Sequence, residues 1–243
     1  LNPVIIIPTR LSSTRLPNKP LATIAGQPMI LHVLRRAEKS GVGPVIVASG
    51  DRKIADLINQ AGGTAVITDP NLPSGSDRVF EALEKFDPTS SFDVIINLQG
   101  DLPTIDPNII QTAFKSLNNS LVDIGTLATE IKDNGEKEDP NIVKVAVSFP
   151  SGQTIGRAIY FSRAIVPAGE GSHYHHIGIY AYRREALKNF VALPESSLEK
   201  REKLEQLRAL EAGMRIDVSL VDTFPDGVDT PADLERVRRK LEI

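Results

Sequence analysis

Through the first hundred residues, short apolar runs bounded by turn residues alternate with amphipathic stretches, and this alternation narrows the fold more than any other feature. The runs 4–7, 45–48, 65–68 and 94–98 read as strands, the first of them buried. Between them, 29–39, 53–60 and 77–86 carry apolar residues at three- and four-residue spacing, which predicts helices, with Gly41 and Gly62 as C-terminal stops. Strand and helix in repetition imply parallel strands joined by crossovers, a geometry that places ligands at the carboxyl ends of the strands. The second half is less regular. Residues 122–130, 143–149 and 177–182 read as strands, 197–212 and 231–241 as helices, and the polar stretch 131–141 as a surface loop. Without a repeat, a low-complexity tract or a long linker, residues 1–243 read as a single α/β domain. Its expected architecture is a mostly parallel central sheet flanked by helices, with an excursion in the second half.

Composition removes several classes of chemistry. With no cysteine, disulfides, thiolate catalysis and cysteine-based zinc sites are excluded. The run 4–7 stops at Pro8, far short of the roughly 20 residues that span a bilayer, and lacks the flanks of a signal peptide; the expectation is a cytoplasmic protein without a membrane partner. A net charge of −3 argues against nucleic acid as a partner. Charge is nonetheless unevenly placed. Residues 1–37 contain no Asp or Glu but hold Arg10, Arg15, Lys19, Arg35 and Arg36, so an anionic ligand near the N-terminus would meet a local positive field.

Several segments could carry chemistry. Residues 8–21, PTRLSSTRLPNKPL, follow the first strand; Pro17 and Pro20 bar helix, and Ser12, Ser13 and Asn18 favour turns. Arg10, Arg15 and Lys19 could therefore converge on a triphosphate, with side-chain cations replacing the backbone amides of a P-loop. Charge spacing alone favours a solvated basic loop. In LQGDLP, Asp101 emerges at the end of a strand, where a carboxylate can hold Mg²⁺ against phosphate oxygens or can simply shape a turn. In GVDTPADLERV, Thr230, Pro231 and Asp233 form a helix start, which leaves Asp229 as a surplus carboxylate, although residues at helix starts are usually structural. Residues 73–78, PSGSDR, put small side chains ahead of a helix, as a flat base would need; from the residues alone a plain Ser-capped helix is the better reading. Three of the four histidines fall in HYHHIGIYAYRRE, where a strand would put His176, Gly178, Tyr180 and Tyr182 on one face; zinc is disfavoured. Leu204, Leu207 and Leu210 make a helical stripe with Glu205 and Gln206 at its border, a pattern typical of a solvated edge.

Taken together and in this order, STRLPNKPL, SGSDR, QGDLP, YFSRA, HIGIYAYR, LEQLR and GVDTP resemble the sugar-activating cytidylyltransferases, over almost the whole length from Val4 to Val237. Thr9, Leu11 and Asn18 depart from that family's small, aromatic and glycine residues. The resemblance implies a Rossmann-like nucleotide-diphospho-sugar transferase fold whose second-half excursion serves sugar binding and dimerisation. It implies transfer of CMP from CTP to 3-deoxy-D-manno-octulosonate (Kdo), giving CMP-Kdo and pyrophosphate for lipopolysaccharide synthesis, by a homodimer. It also assigns residues. Arg10, Arg15 and Lys19 would bind the triphosphate, and Asp101 and Asp229 would hold Mg²⁺. Ser74, Gly75 and Arg78 would line the cytidine pocket, with Gln99 beside nucleotide or sugar. Arg163 would face the sugar carboxylate, while His176, Tyr180, Glu205 and Gln206 would contact the sugar. Relatives acting on N-acetylneuraminate or on a spore-coat sugar are the enzymatic alternatives, and a nonenzymatic nucleotide-sugar binder is the alternative of another class. The HHIGIYAYRR and LEQLR segments favour Kdo.

Overall fold

A computed structural model of the chain describes residues 1–12 and 15–241; Ser13 and Thr14 of the STRLP segment lie outside the described residues. The chain divides into two compact units. Unit 1 is Leu1–Gln111 together with the C-terminal stretch from Pro225 onward, and unit 2 is Thr112–Phe224.

Unit 1 contains β1 (Pro3–Thr9), a two-stranded hairpin of β2 (Thr23–Ile24) and β3 (Gln27–Pro28), α1 (Met29–Lys39), β4 (Val45–Ser49), α2 (Arg52–Gln60), β5 (Thr64–Ile67), α3 (Gly75–Phe86), β6 (Val94–Asn97) and α4 (Pro107–Ala113), within which the chain passes into unit 2. Four strands lie in the order β5-β4-β1-β6, all parallel. β1 runs continuously apolar because both faces are covered: Val4, Ile5, Ile6 and Ile7 are all fully buried. The helix ends match the sequence signals, with Gly41 at φ 63 and Gly62 at φ 80 in the left-handed conformation that closes a helix. Proceeding from β1, the chain fills positions to one side and then returns to add β6 on the other, so a topological switch point falls between β1 and β6.

The last helix, α9 (Pro231–Leu241), returns to unit 1. Its Leu234 and Val237 join Ile24, Met29 and Val228 in a small apolar cluster, with Leu16, Ala22 and Leu241 packed against it. This cluster fastens the end of the chain to the stretch between β1 and α1, a long-range contact that no local pattern announces.

In unit 2 the elements are β7 (Ile124–Glu130), a short α5 (Asn134–Glu138) inside the expected loop, β8 (Lys144–Ser148), β9 (Ile155–Ser162), β10 (Tyr174–Arg183), α6 (Arg184–Ala192), α7 (Ser197–Glu202), α8 (Gln206–Glu211) and β11 (Ile216–Leu220). Their order is β10-β7-β11-β9-β8. Only β7 and β11 run parallel, and a single pairing of His175 with Lys144 brings β10 and β8 together. The α/β class stands, with the parallel sheet in unit 1 and mixed strands in unit 2. Two sequence expectations are corrected here. The continuous helix over 197–212 breaks at Lys203, whose φ 57 and ψ 48 are left-handed, because the N–H groups of Lys203 and Leu204 both turn back to the Glu199 carbonyl. β10 is also longer than 177–182 and irregular: it takes four steps from Ile177 to Ala181 while β7 takes two from Leu127 to Gly125.

Candidate active site

The carboxyl ends of β1 and β6 flank the switch point, and the segments that follow them line a cavity of about 730 Å³, within the range of small-molecule sites. The loop after β1 contributes Arg10, Arg15 and Lys19, the turn after β6 contributes Gln99 and Asp101, the start of α3 contributes Ser74, Gly75 and Arg78, and Asp229 enters from just before α9. Nine candidates from separate parts of unit 1 thus meet at one place. Gly100 eases the approach: a Cβ there would lie 3.0 Å from the Pro8 carbonyl oxygen, so a larger residue would push the Gln99–Asp101 turn a few tenths of an ångström from the β1 exit. Asn18, where the resemblance leads one to expect glycine, sits at φ 55 and ψ 30, a left-handed geometry that asparagine tolerates better than other side chains. The following prolyl turn is a single 3-10 turn, Lys19–Leu21, which aims Lys19 inward.

Lys19 is the electrostatic centre. Its Nζ donates to Asp101 Oδ2 at 2.7 Å and to Asp229 Oδ1 at 2.9 Å, while Arg15 Nη2 lies 3.4 Å from Asp229 Oδ2. Burial alone would lower the pKa of the ammonium; the charges and hydrogen bonds of the two carboxylates outweigh it and raise the pKa above its ordinary value. The convergence has a packing cause. Val228 is fully buried in the α9 cluster, and its N–H donates to the Asp101 carbonyl at 3.0 Å, so the residue that follows it emerges beside the Asp101 turn. Helix capping does not use Asp229. Asp233 Oδ2 accepts from the Thr230 N–H at 2.9 Å, and Thr230 Oγ1 accepts from the Asp233 N–H at 3.2 Å, a reciprocal cap that leaves the Asp229 carboxylate facing Lys19 and Arg15.

On the opposite wall, Ser74 caps α3 by accepting the Asp77 N–H at 3.2 Å and donates to Asp77 Oδ2 at 2.7 Å, so the plain capping role and a place in the cavity coexist. A Cβ on Gly75 would meet nothing nearer than Pro8 Cγ at 3.6 Å, so the protein's own packing does not demand glycine there. Arg78 is only 3% exposed and donates to Thr68 Oγ1 and to the Asp69 carbonyl, holding the loop after β5. Burial and the neighbouring Arg10 charge lower its pKa. Gln99 donates to Asn97 Oδ1 at 3.2 Å.

The remaining candidates lie in unit 2. His176 is buried; its Nε2 lies 3.0 Å from Thr126 Oγ1, its ring meets Phe161 edge-on at 4.9 Å, and the Tyr180 ring centroid lies 5.5 Å away. Burial and the adjacent His175 push its pKa down to about 3, so the ring is neutral near pH 7. Burial, then the nearby Tyr182 and Glu205, raise the Tyr180 hydroxyl well above its ordinary value. Arg163 donates from Nε to the Glu202 carbonyl at 3.0 Å and from Nη1 to the Pro140 carbonyl at 2.9 Å. Glu205 is the N-cap residue of α8 and partly buried, and Gln206 is only 6% exposed, so the solvated edge expected for this pair is corrected: the break at Lys203 turns Gln206 inward.

The sequence profile of the cytidylyltransferase family matches residues 4–216. The chain belongs to the cytidylyltransferase family. A protein of Paramagnetospirillum magneticum named 3-deoxy-manno-octulosonate cytidylyltransferase is 59% identical over 242 residues, covering 100% of this chain and 98% of the relative. One of the same name from Parvibaculum lavamentivorans is also 59% identical, covering 99% of this chain and 93% of the relative. A solved structure of CMP:2-keto-3-deoxy-manno-octonic acid synthetase complexed with CTP is 40% identical, with a TM-score of 0.91, covering 100% of this chain and 99% of that one.

For this cytidylyltransferase the donor set bears on metal binding. Among the described residues no three or more His, Asp or Glu side chains gather as a metal cage. Two carboxylates within hydrogen-bonding reach of one atom, Lys19 Nζ, do come together, and that set suits a hard cation that takes one or two carboxylates and completes its shell from substrate phosphate. Sequence reading passed over Lys144, which is fully buried and donates to the carbonyls of Asp139, Ile142 and Arg163 at 2.9, 2.6 and 2.7 Å. It also passed over Glu202, which accepts from Ser162 Oγ at 2.8 Å and from the Arg163 N–H at 3.0 Å. A lysine within the apolar run IVKVAV was the available signal for the first; nothing local marked the second.

Proposed function

We propose that the chain transfers CMP from CTP to Kdo, giving CMP-Kdo and pyrophosphate for lipopolysaccharide synthesis. The observation that carries this reading is the meeting of Arg10, Arg15, Lys19, Asp101 and Asp229 in one cavity at the switch point of the parallel sheet. In this reading the three cations hold the triphosphate, and the start of α3 with Ser74, Gly75 and Arg78 receives the cytosine, with Gln99 beside it. Asp101 and Asp229 hold Mg²⁺, which when bound neutralises phosphate charge and lowers the pKa of the attacking hydroxyl. Lys19 then turns from the carboxylates to phosphate oxygens. The anomeric oxygen of the sugar acid attacks the α-phosphorus in line, and the bond to the bridging oxygen breaks as pyrophosphate leaves. Positioning and charge neutralisation supply most of the rate in such transfers. For the sugar acid we assign Arg163 to the carboxylate, and His176, Tyr180, Glu205 and Gln206 to the hydroxyls. The neutral His176 ring suits a hydroxyl better than an ion pair.

The assembly we propose is a homodimer, as the resemblance to the sugar-activating cytidylyltransferases implies. No described helix is long and apolar enough to cross a membrane, and we place the reaction in the cytoplasm. The test is pyrophosphate release from CTP with a panel of sugar acids. Release should require Kdo and Mg²⁺ together and stop on addition of EDTA. Equal turnover with N-acetylneuraminate would overturn the substrate, and turnover indifferent to EDTA would overturn the metal.

A further inference from the structure

We propose that Asp51 is a positioning residue for the triphosphate loop, fixing the backbone beside Arg10 and supplying the counter-charge that lets Arg10 and Arg78 share one cavity. The inference rests on the reading of that cavity as the CTP site.

The sheet register is the first argument. β1 and β4 run parallel with Thr9 opposite Ser49, so Leu11 and Asp51 each lie two residues beyond the last paired position, and the strands themselves deliver them to one another. There the Leu11 N–H donates to Asp51 Oδ2 at 2.9 Å. The Asp51 N–H in turn donates to Oγ of the buried Ser49 at 3.1 Å, which anchors the turn carrying the carboxylate. The loop after β1 is thereby held one residue past Arg10.

The second argument is what Asp51 forgoes. It occupies the N-cap of α2, where an aspartate ordinarily accepts a first-turn N–H, yet its side chain makes no such bond. Its main-chain carbonyl alone serves that turn, accepting from the Ile54 and Ala55 N–H groups at 3.1 and 3.2 Å. A carboxylate that could stabilise its own helix instead holds an amide 40 residues away.

Electrostatics supply the third. Arg78 is almost completely buried, and after burial itself the Arg10 charge contributes most to lowering its pKa; of the carboxylates that oppose this, Asp51 acts most strongly. Arg10 and Arg78 both line the cavity, and their like charges repel one another. Asp51 sits where it offsets that repulsion without occupying the cavity, since it is not among the lining residues.

Substitution separates this role from a structural one. Asp51→Ser can cap α2 but is too short to reach Leu11, so calorimetric titration with CTP should show about tenfold weaker binding while the melting temperature holds or rises. Asp51→Asn, whose amide oxygen can still accept the Leu11 N–H, should stay within about threefold of wild type, the remainder reporting the lost charge. Asp56→Ser, which removes the same charge from an exposed position of α2, should bind CTP as wild type does. Hydrogen exchange at the Leu11 amide should be protected in the wild-type chain and accelerated in Asp51→Ser, with or without nucleotide. Unchanged CTP affinity in Asp51→Ser, or affinity and melting temperature falling together, would overturn the inference and leave the CTP site standing. A wild-type chain that does not bind CTP would overturn the reading of the cavity, and the inference with it.

Discussion

In unit 1 four charged side chains of the cavity answer one another, Lys19 to Asp101 and Asp229 and Arg15 to Asp229, with side-chain exposures of 16% for Lys19 and 30 to 67% for the others. In unit 2 three cations are directed to main-chain carbonyls instead. Lys144 serves three, Arg163 two, and Arg183 those of Val122, Leu117 and Asn119. A partly exposed ion pair is exchanged at little cost when a better partner arrives, because surface pairs contribute roughly 0 to 1 kcal/mol. A buried cation such as Lys144 cannot leave without orphaning carbonyls. The first arrangement can reorganise around a triphosphate and a metal, and the second stays fixed while ligands come and go.

Substitutions test that contrast directly. Lys144→Met should have the largest effect on stability, about 2 kcal/mol or more, because the carbonyls of Ile142 and Arg163 lose this donor while that of Asp139 keeps the Ile142 N–H, and each orphan costs ~1 to 3 kcal/mol. Urea unfolding measures it, and a loss below about 1 kcal/mol would mean the carbonyls find other donors. Next comes Arg15→Ala, expected to weaken CTP binding by about 2 kcal/mol with little change in melting temperature, since its salt bridge is exposed. Arg239→Ala, on the exposed face of α9, should be close to silent. Equal losses of affinity in the two would make the charge effect nonspecific. The smallest effect concerns Glu199, whose carboxylate accepts from Arg208 Nε at 2.8 Å and Nη2 at 2.6 Å. Burial raises its pKa, but the hydrogen bonds from Arg208 and the Ser196 N–H outweigh burial and leave it lowered. With the folded pKa below the unfolded value of about 4.3, the unfolded chain binds more protons in between, so the contribution is complete above that value and is lost as pH falls through the folded pKa. Unfolding free energies below pH 5 should therefore decline less steeply in Glu199→Gln than in wild type, and identical slopes would remove the pair from the account.

How much could be read in advance follows the same division. Helices 29–39 and 231–241 were legible to the residue, since amphipathic spacing, Gly41 and Pro231 are local signals. The four strands of unit 1 were legible within one or two residues, since each is a largely apolar run between turns, although β5 is not buried and leaves Thr64 and Ile67 exposed. β9 was not foreseen because IGRAIYFS mixes polar and apolar residues without strict alternation; β11 was passed over although IDVSL alternates apolar and polar residues as a strand does. The break at Lys203 carries neither Gly nor Pro, and the carbonyl that stabilises it belongs to the helix itself. Arg10, Arg15, Lys19, Asp101 and Asp229 could be nominated from motif and charge. Their meeting could not be read from spacing, because it depends on Val228 docking beside Ile24 and Met29. Asp51 was invisible for a related reason, since a two-residue overhang matters only once the β1–β4 register is known.

The central claim is that Asp229 serves a metal-assisted phosphoryl transfer and not the helix that begins beside it. It is tested by paired melting curves and steady-state rates for Asp229→Asn and Thr230→Ala at low millimolar Mg²⁺. Thr230 and Asp233 supply the cap between them, so Thr230→Ala should lose about 1 kcal/mol of stability and keep its turnover. Asp229→Asn should melt close to wild type while turnover falls on the order of a hundredfold, with partial recovery at high Mg²⁺ or with Mn²⁺. Near wild-type turnover in Asp229→Asn, with or without a drop in melting temperature, would contradict the assignment.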